Sequence, residues 1–169
     1  MPNEHTDQTV KRTGQEFYQP AQVSSIPTEQ LSYFNIFGET PSGLNTEGKT
    51  VATTGNTDWY IIAPIAGRLT EADFSPGEAL AASDTNYITF TITNLGRDGA
   101  GTTVLLAATD ANTTKATGGT ALSADTVREL VITATYNNIQ RGDRLRIRAA
   151  VTNTLANDVE NSVFTLRFK

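Results

Sequence analysis

The sequence predicts an all-β protein: an eight-stranded, jelly-roll-like β-sandwich at residues 50–169, preceded by an extended N-terminal arm at residues 1–49. Eight short segments after residue 50 alternate apolar and polar side chains or are rich in β-branched and aromatic residues. Clusters of Gly, Pro, Asn and Asp separate these segments. No window carries an amphipathic helix longer than two turns. Many short strands with turn-rich connections are typical of sandwiches and barrels, and eight strands in this length suit a jelly roll.

The candidate strands follow one another at regular intervals. In chain order they lie at residues 50–54, 58–63, 65–74, 85–94, 102–109, 130–136, 139–152 and 162–169. The clearest is 139–152, which opens with a Gly-Asp turn and then alternates for eight positions. Its apolar face and its charged face are respectively Leu145, Ile147, Ala149 and Val151, and Arg144, Arg146 and Arg148. This period of two predicts a half-buried strand.

The arm combines a polar, proline-dotted composition with an unusual number of aromatic residues. Five of the 13 aromatic residues of the chain lie in it, and two aliphatic residues join them. The resulting candidate anchors are Phe17, Tyr18, Leu31, Tyr33, Phe34, Ile36 and Phe37. Burying each such aromatic side chain is worth roughly 1.5–3 kcal/mol. We therefore expect these residues to be buried, either by folding back on their own domain or by anchoring the arm on a neighbouring subunit.

The composition restricts the partners of the protein. The chain has 13 basic and 18 acidic residues, a formal net charge of −5, and no cysteine. This mild acidity argues against a nucleic-acid partner, which would need a basic patch. The N-terminus lacks the apolar segment of a signal peptide, and no apolar run approaches the roughly 18 residues of a membrane span. We expect a protein made soluble in the cytoplasm, with no membrane partner.

Catalytic and metal-binding signatures are absent from the sequence. His5 is the only histidine, and without cysteine it leaves no second group for a nucleophilic or zinc site. Pairs of acidic or amide residues, such as Asp84 with Asn86 and Asp110 with Asn112, are typical of turns, although a loop calcium site is the alternative. The Gly-rich loop at residues 96–101 lacks the Lys-Ser/Thr of a phosphate-binding loop. We expect no enzyme, no cofactor and no metal.

The arginine row of residues 139–152 has two interpretations. A charged strand face is ordinarily solvated, but a row of arginines can also bind carboxylates of a partner chain bidentately. The tripeptide Arg141-Gly142-Asp143 at the start of the segment indicates a tight turn, in which Gly supplies an unusual backbone angle.

Three segments resemble small jelly-roll proteins of tailed bacteriophages, the capsid decoration or cement proteins. They lie at residues 62–69 (Ile-Ala-Pro-Ile-Ala-Gly-Arg-Leu), at 86–94 (Asn-Tyr-Ile-Thr-Phe-Thr-Ile-Thr-Asn) and at 141–147 (Arg-Gly-Asp-Arg-Leu-Arg-Ile). The resemblance covers residues 50–169. An arm with aromatic anchors is consistent with cement proteins, which reach across capsomers through extended segments.

The resemblance implies a structural virion protein on the outer capsid surface. It would bind the phage head as a homotrimer and stabilise the capsid by clamping adjacent major capsid protein subunits. The expected partner-binding residues are the seven arm anchors together with Arg144, Arg146 and Arg148. The alternative is a receptor- or glycan-binding module of a phage head fibre or tail fibre, in which Trp59 or Tyr60 would stack on a sugar ring.

Overall fold

The computed structural model describes residues 42–132 and 138–169, and these residues are all-β. They form nine strands in two antiparallel sheets: β1 Ser42–Asn45, β2 Lys49–Val51, β3 Asn56–Ile62, β4 Leu69–Ser75, β5 Tyr87–Asn94, β6 Thr103–Leu106, β7 Arg128–Glu129, β8 Arg144–Thr152 and β9 Val159–Phe168. The helical structure of these residues is limited to one 3-10 turn, Asp110–Asn112. The predicted all-β class is confirmed, and the two sheets have the character of a β-sandwich.

The strands pair in a nested order. One sheet has the order β1-β9-β4-β7, with β2 also pairing with β9, and the other has the order β3-β8-β5-β6. The innermost pair is β5 with β6, followed outward by β4 with β7, β3 with β8, and finally β1 and β2 with β9. The chain therefore follows the path of one long antiparallel hairpin. Its successive strand pairs lie alternately in one sheet and in the other.

The core lies between the sheets and is built around four aromatic rings. Phe74 lies 4.7 Å from Phe90 and 4.8 Å from Phe164, measured between ring centroids. Trp59 meets Phe164 edge-on at 4.9 Å. Tilted and edge-to-face pairs at these distances are favourable beyond the area that they bury. Because Phe74 and Phe164 belong to one sheet and Trp59 and Phe90 to the other, the cluster holds the two sheets together.

The predicted strands agree with the structure where the alternation is clean. In β5 every second side chain is buried, and in β8 Leu145, Ile147 and Ala149 are buried while the arginines are not. In segment 65–74 apolar and polar residues alternate imperfectly. The cause is a register shift in the pairing of β4 with β9, between Leu69 and Glu71. Such a β-bulge places one extra residue in the strand and moves the following side chains to the opposite faces.

Two elements differ from the prediction. A strand was predicted at residues 130–136, but β7 lies just before it at Arg128–Glu129, and residues 130–132 are not in a strand; residues 133–136 lie outside the described residues. The structure also contains β1, which pairs with β9 although it precedes residue 50. The sheet therefore begins earlier than the predicted first strand. The division into an arm at 1–49 and a domain at 50–169 stays a prediction, because residues 1–41 lie outside the described residues.

The long connection between β6 and β7 is held by two polar side chains. The Arg128 guanidinium donates to the carbonyl oxygens of Ala111, Thr113 and Thr120 at 2.7–2.9 Å. The fully buried Asn112 accepts from the Val131 N–H and donates to the Val131 carbonyl, both at 2.8 Å. The Asn112 amide thus makes the two hydrogen bonds to the Val131 backbone that a neighbouring strand would otherwise make. The Asn-Thr-Thr glycosylation sequon at 112–114 is accordingly buried and internally bonded.

Replacing Asn112 by Ala should lower the free energy of unfolding by about 2–3 kcal/mol, because the substitution removes the hydrogen bonds that this fully buried side chain makes to the Val131 and Ala107 backbones. Urea-induced unfolding followed by circular dichroism measures this. Asn86→Ala is the matched control: Asn86 is exposed, so its loss should change stability by no more than about 0.5 kcal/mol. Equal losses in the two variants would contradict a structural role for the Asn112 amide.

Candidate partner-binding surface

The three arginines of β8 lie on the outer side of the sheet, opposite the side chains of β3. The register pairs Arg148 with Asp58, Arg146 with Tyr60, and Arg144 with Ile62. Cross-strand partners point to the same side of a sheet. We call this surface the basic face and define it by Asp58, Tyr60, Ile62, Arg144, Arg146 and Arg148. The structure therefore brings together the three arginines predicted from the sequence and adds three residues of β3.

Arg148 already has a carboxylate partner. Its Nε and Nη2 donate to the two carboxylate oxygens of Asp58, each at 2.7 Å. The hydrogen bonds from Arg148 lower the pKa of Asp58 below its ordinary value, with smaller favourable contributions from Arg146 and Lys49 that work against the burial of the carboxyl. Bidentate pairs of this kind combine charge with a fixed geometry. Arg148 is therefore part of the framework of the face.

Arg144 and Arg146 make no ion pair with any residue in the described part of the chain. The Arg144 guanidinium lies over the Tyr60 ring, 4.1 Å from its centroid, in a cation–π contact. Arg146 is half-buried, and its buried Nε has no hydrogen-bond partner among the described residues. A buried donor left without a partner is costly, by about 1–3 kcal/mol. Neither guanidinium group is thus paired with a carboxylate in the described part of the chain.

Exposed apolar side chains accompany the arginines. Tyr60 is 47% exposed and Ile62 59% exposed, and both lie on the basic face. Val104 of β6 is 48% exposed and lies on the same side of the sheet, because its cross-strand partner Thr93 is itself paired with Arg146. Arg and Tyr are enriched at the centres of protein interfaces. The combination favours a contact with another protein.

A groove of about 360 Å³ runs beside the free edge of β3. Two segments line it: Asn45, Thr46, Glu47 and Lys49 on one side and Trp59, Tyr60 and Ile61 on the other. Trp59 is only 1% exposed and packs against Phe164, so it belongs to the core. The prediction that Trp59 could stack on a sugar is therefore wrong. Of the two aromatic candidates for glycan stacking, only Tyr60 reaches the surface.

The Arg-Gly-Asp segment forms a turn that keeps its carboxylate inside. Gly142 has a φ of +90°, which favours glycine. Asp143 is 5% exposed, and its carboxylate accepts 2.8 Å hydrogen bonds from the Asn94 side chain and the Gln140 N–H. These bonds tie the end of β5 to the turn before β8. The segment therefore sets the entry of β8 and presents no free Asp to a partner.

The other predicted site residues lie outside the described part of the chain. These are Phe17, Tyr18, Leu31, Tyr33, Phe34, Ile36 and Phe37. Within residues 42–132 and 138–169, no cluster of three or more His, Asp or Glu side chains has the arrangement of a metal site. Asp84 and Asp110, named above in the turn pairs, bond to Thr117 and Lys115 respectively. No helix among the described residues is long and apolar enough to span a membrane.

Comparisons with protein-family models, with curated proteins and with solved structures found no match to this chain.

The Asp58–Arg148 pair should make the stability of the fold depend on acid pH. Because the folded-state pKa of Asp58 is lowered, its contribution is fully present above the ordinary value of 3.8 and is lost as the pH falls through the folded-state value. Asp58→Asn should therefore cost about 1–2 kcal/mol at pH 7. The difference from the wild type should shrink as the pH is lowered below 4.

Urea unfolding at a series of pH values from neutral to strongly acidic measures this difference. Asp125→Asn is the matched control, because Asp125 is exposed and makes no salt bridge within the described residues. A wild-type advantage over Asp58→Asn that stays constant across the pH range would contradict the stabilising role of the ionised pair.

Proposed function

We propose that this protein is a structural virion protein that binds the outer surface of a phage head and stabilises the capsid by clamping adjacent major capsid protein subunits. The observation that carries the proposal is the basic face, where two guanidinium groups make no ion pair among the described residues and lie beside exposed apolar side chains. Such a surface gains free energy by contacting protein and offers no chemistry to a substrate. The resemblance of three segments to cement proteins supplies the partner.

We further propose that the sandwich is a jelly roll. The nested order of strand pairs supports this, because a jelly roll places eight strands in two sheets through two Greek keys. Counting β1 and β2 together as the first strand leaves eight strands, four in each sheet. The three resembling segments lie at the connection from β3 to β4, in strand β5, and at the turn into β8.

The mechanism is adhesion through many weak contacts. In this proposal the aromatic anchors of the arm supply apolar contacts with the major capsid protein, and the basic face contacts a partner chain. A homotrimer would present three arms at once, so that each further contact forms at a high effective concentration. Neither a cofactor nor an enzymatic step is needed. The protein would act on the outer capsid surface after synthesis in the host cytoplasm.

The alternative function, a glycan- or receptor-binding module of a head fibre or tail fibre, depends on Tyr60. Its ring is half-exposed on the basic face but is covered on one side by Arg144. A sugar could stack only on the remaining side, or after Arg144 moved. Strong signals on a glycan array that disappear in Tyr60→Ala would favour this function over capsid binding.

Deletion of residues 1–41 should abolish binding to phage heads, because it removes all seven anchors and leaves β1 and β2 in place. The measurement is sedimentation of purified heads with added protein and quantification of the bound copies. Full-length protein should bind in hundreds of copies per head, as expected for a lattice-wide cement. Replacing only the anchors Tyr33, Phe34 and Phe37 by Ser, without truncation, should also reduce binding.

The unfolding transition of the truncated protein controls for loss of structure. Unchanged binding after truncation would contradict the role of the arm. A dozen or fewer copies of the full-length protein per head would instead indicate a tail or fibre component.

A further inference from the structure

The two outer surfaces of the sandwich carry opposite charges. On the sheet opposite the basic face, β4 pairs with β7 and β9 so that Asp73 lies beside Glu129, and Glu71 beside Arg167. Arg167 donates to Glu71 at 2.6 Å. Asp73 and Glu129 have no ion-pair partner among the described residues. We call this surface the acidic face and define it by Glu71, Asp73, Glu129 and Arg167.

Exposed apolar side chains accompany the charges. The described residues contain five exposed large hydrophobic side chains. Tyr60, Ile62 and Val104 lie on the basic face, as described above. Val127 is 64% exposed and Val131 52% exposed, and they lie in the segments that flank β7, two residues before and two residues after Glu129. Beside the ion pairs Asp58–Arg148 and Glu71–Arg167, the charges that make no ion pair among the described residues are basic on one face and acidic on the other.

The charges on each face are incompletely compensated. On the basic face neither Arg144 nor Arg146 makes an ion pair with the described residues. On the acidic face burial raises the pKa of Asp73; Arg167 opposes this rise, and the neighbouring carboxylates Glu71 and Glu129 add to it. The ionised Asp73 is therefore destabilised by its surroundings. Cations placed beside Asp73 and Glu129 would relieve the repulsion, as carboxylates would satisfy Arg144 and Arg146.

We propose that the basic face of one copy of this chain binds the acidic face of a second copy. The charge complementarity is specific to this arrangement: two guanidinium groups that make no ion pair among the described residues face two carboxylates that make none there either. A contact between two basic faces would place arginines against arginines, and a contact between two acidic faces would place carboxylates against carboxylates. Like charges opposed across an interface cost several kcal/mol. The exposed apolar side chains of the basic face are buried in the same contact.

A contact between unlike faces repeats from copy to copy. Each bound copy presents its own free acidic or basic face, so that the assembly either closes into a ring or continues as an open stack. A closed ring of three would be the homotrimer of the proposed function. The inference concerns only this self-association and is tested without phage heads. Its failure would leave head binding by the arm intact, and a failure of head binding would leave the contact intact.

Charge reversal on each face provides the test. The full-length wild type should form oligomers whose mass, measured by light scattering after size exclusion and by sedimentation velocity, rises with protein concentration. Raising the salt from about 0.15 M to about 1 M should weaken the association, because the Debye length falls to about 3 Å. Two double variants reverse the charges of one face each: Arg144→Glu/Arg146→Glu and Asp73→Lys/Glu129→Lys. The self-association of each variant should be at least about tenfold weaker than that of the wild type.

Mixing the two double variants gives the decisive result. One variant then has two acidic faces and the other has two basic faces, so that neither self-associates but the mixture should form complexes. The matched control is Arg141→Glu/Glu78→Lys, which makes the same kinds of charge change at exposed positions in turns. Its association should equal that of the wild type. If the lysine variant does not fold, Asp73→Asn/Glu129→Gln removes the same charges with smaller changes.

Two outcomes would overturn the inference. One is a wild-type protein that stays monomeric at every concentration in 0.15 M salt. The other is an oligomer that both reversed variants retain, or whose loss is not restored on mixing. Recovery of complexes only in the mixture would establish the contact between unlike faces. The mass of the saturated wild-type oligomer would then distinguish a ring, with a fixed copy number, from an open stack that grows with concentration, because the mixture alternates the two variants and cannot close into a ring of three.

Discussion

The antiparallel pairing of β8 with both of its neighbours is the constraint on which the rest of the structure depends. β8 lies between β3 and β5, and its register fixes which side chains enter the core. Leu145, Ile147 and Ala149 are buried in this register, and the three arginines between and before them are on the outside. A slip of one residue would exchange the two sets. It would bury three guanidinium groups, so the same pairing that forms the core also creates the basic face.

The parts of the fold that could be predicted are those whose physical signal is local. β5 and β8 alternate in sequence because one face of each packs on the core. β1 gives no such signal: Ser42–Asn45 is a short polar segment that becomes a strand because β9 offers it an edge. β7 has two residues, and the buried amide of Asn112 occupies the place of a neighbour beyond it. Both depend on partners distant in the chain.

The candidate site shows the same division. The period of two predicts three arginines on one side of a strand, and the structure has them there. The three arginines have different neighbouring side chains, and these neighbours come from β3. This strand lies more than 80 residues earlier and pairs with β8 in one register. That register puts a carboxylate beside Arg148 and a tyrosine beside Arg146, within reach of Arg144. No local pattern distinguishes these three arginines. The acidic face was missed for a similar reason, since Asp73 and Glu129 meet only through the pairing of β4 with β7.

The overall charge and the local charges of the protein act on association at different distances. A formal net charge of −5 makes two copies repel one another at long range. At physiological salt the Debye length is about 8 Å, so charges across the width of the molecule are largely screened from one another. Groups within about 4 Å across a closed interface lie inside this length and are partly desolvated, which strengthens their attraction. The patches on the two faces, and not the net charge, therefore determine which surfaces can meet. A protein with a negative net charge and one basic surface can in this way self-associate, as proposed for the basic and acidic faces.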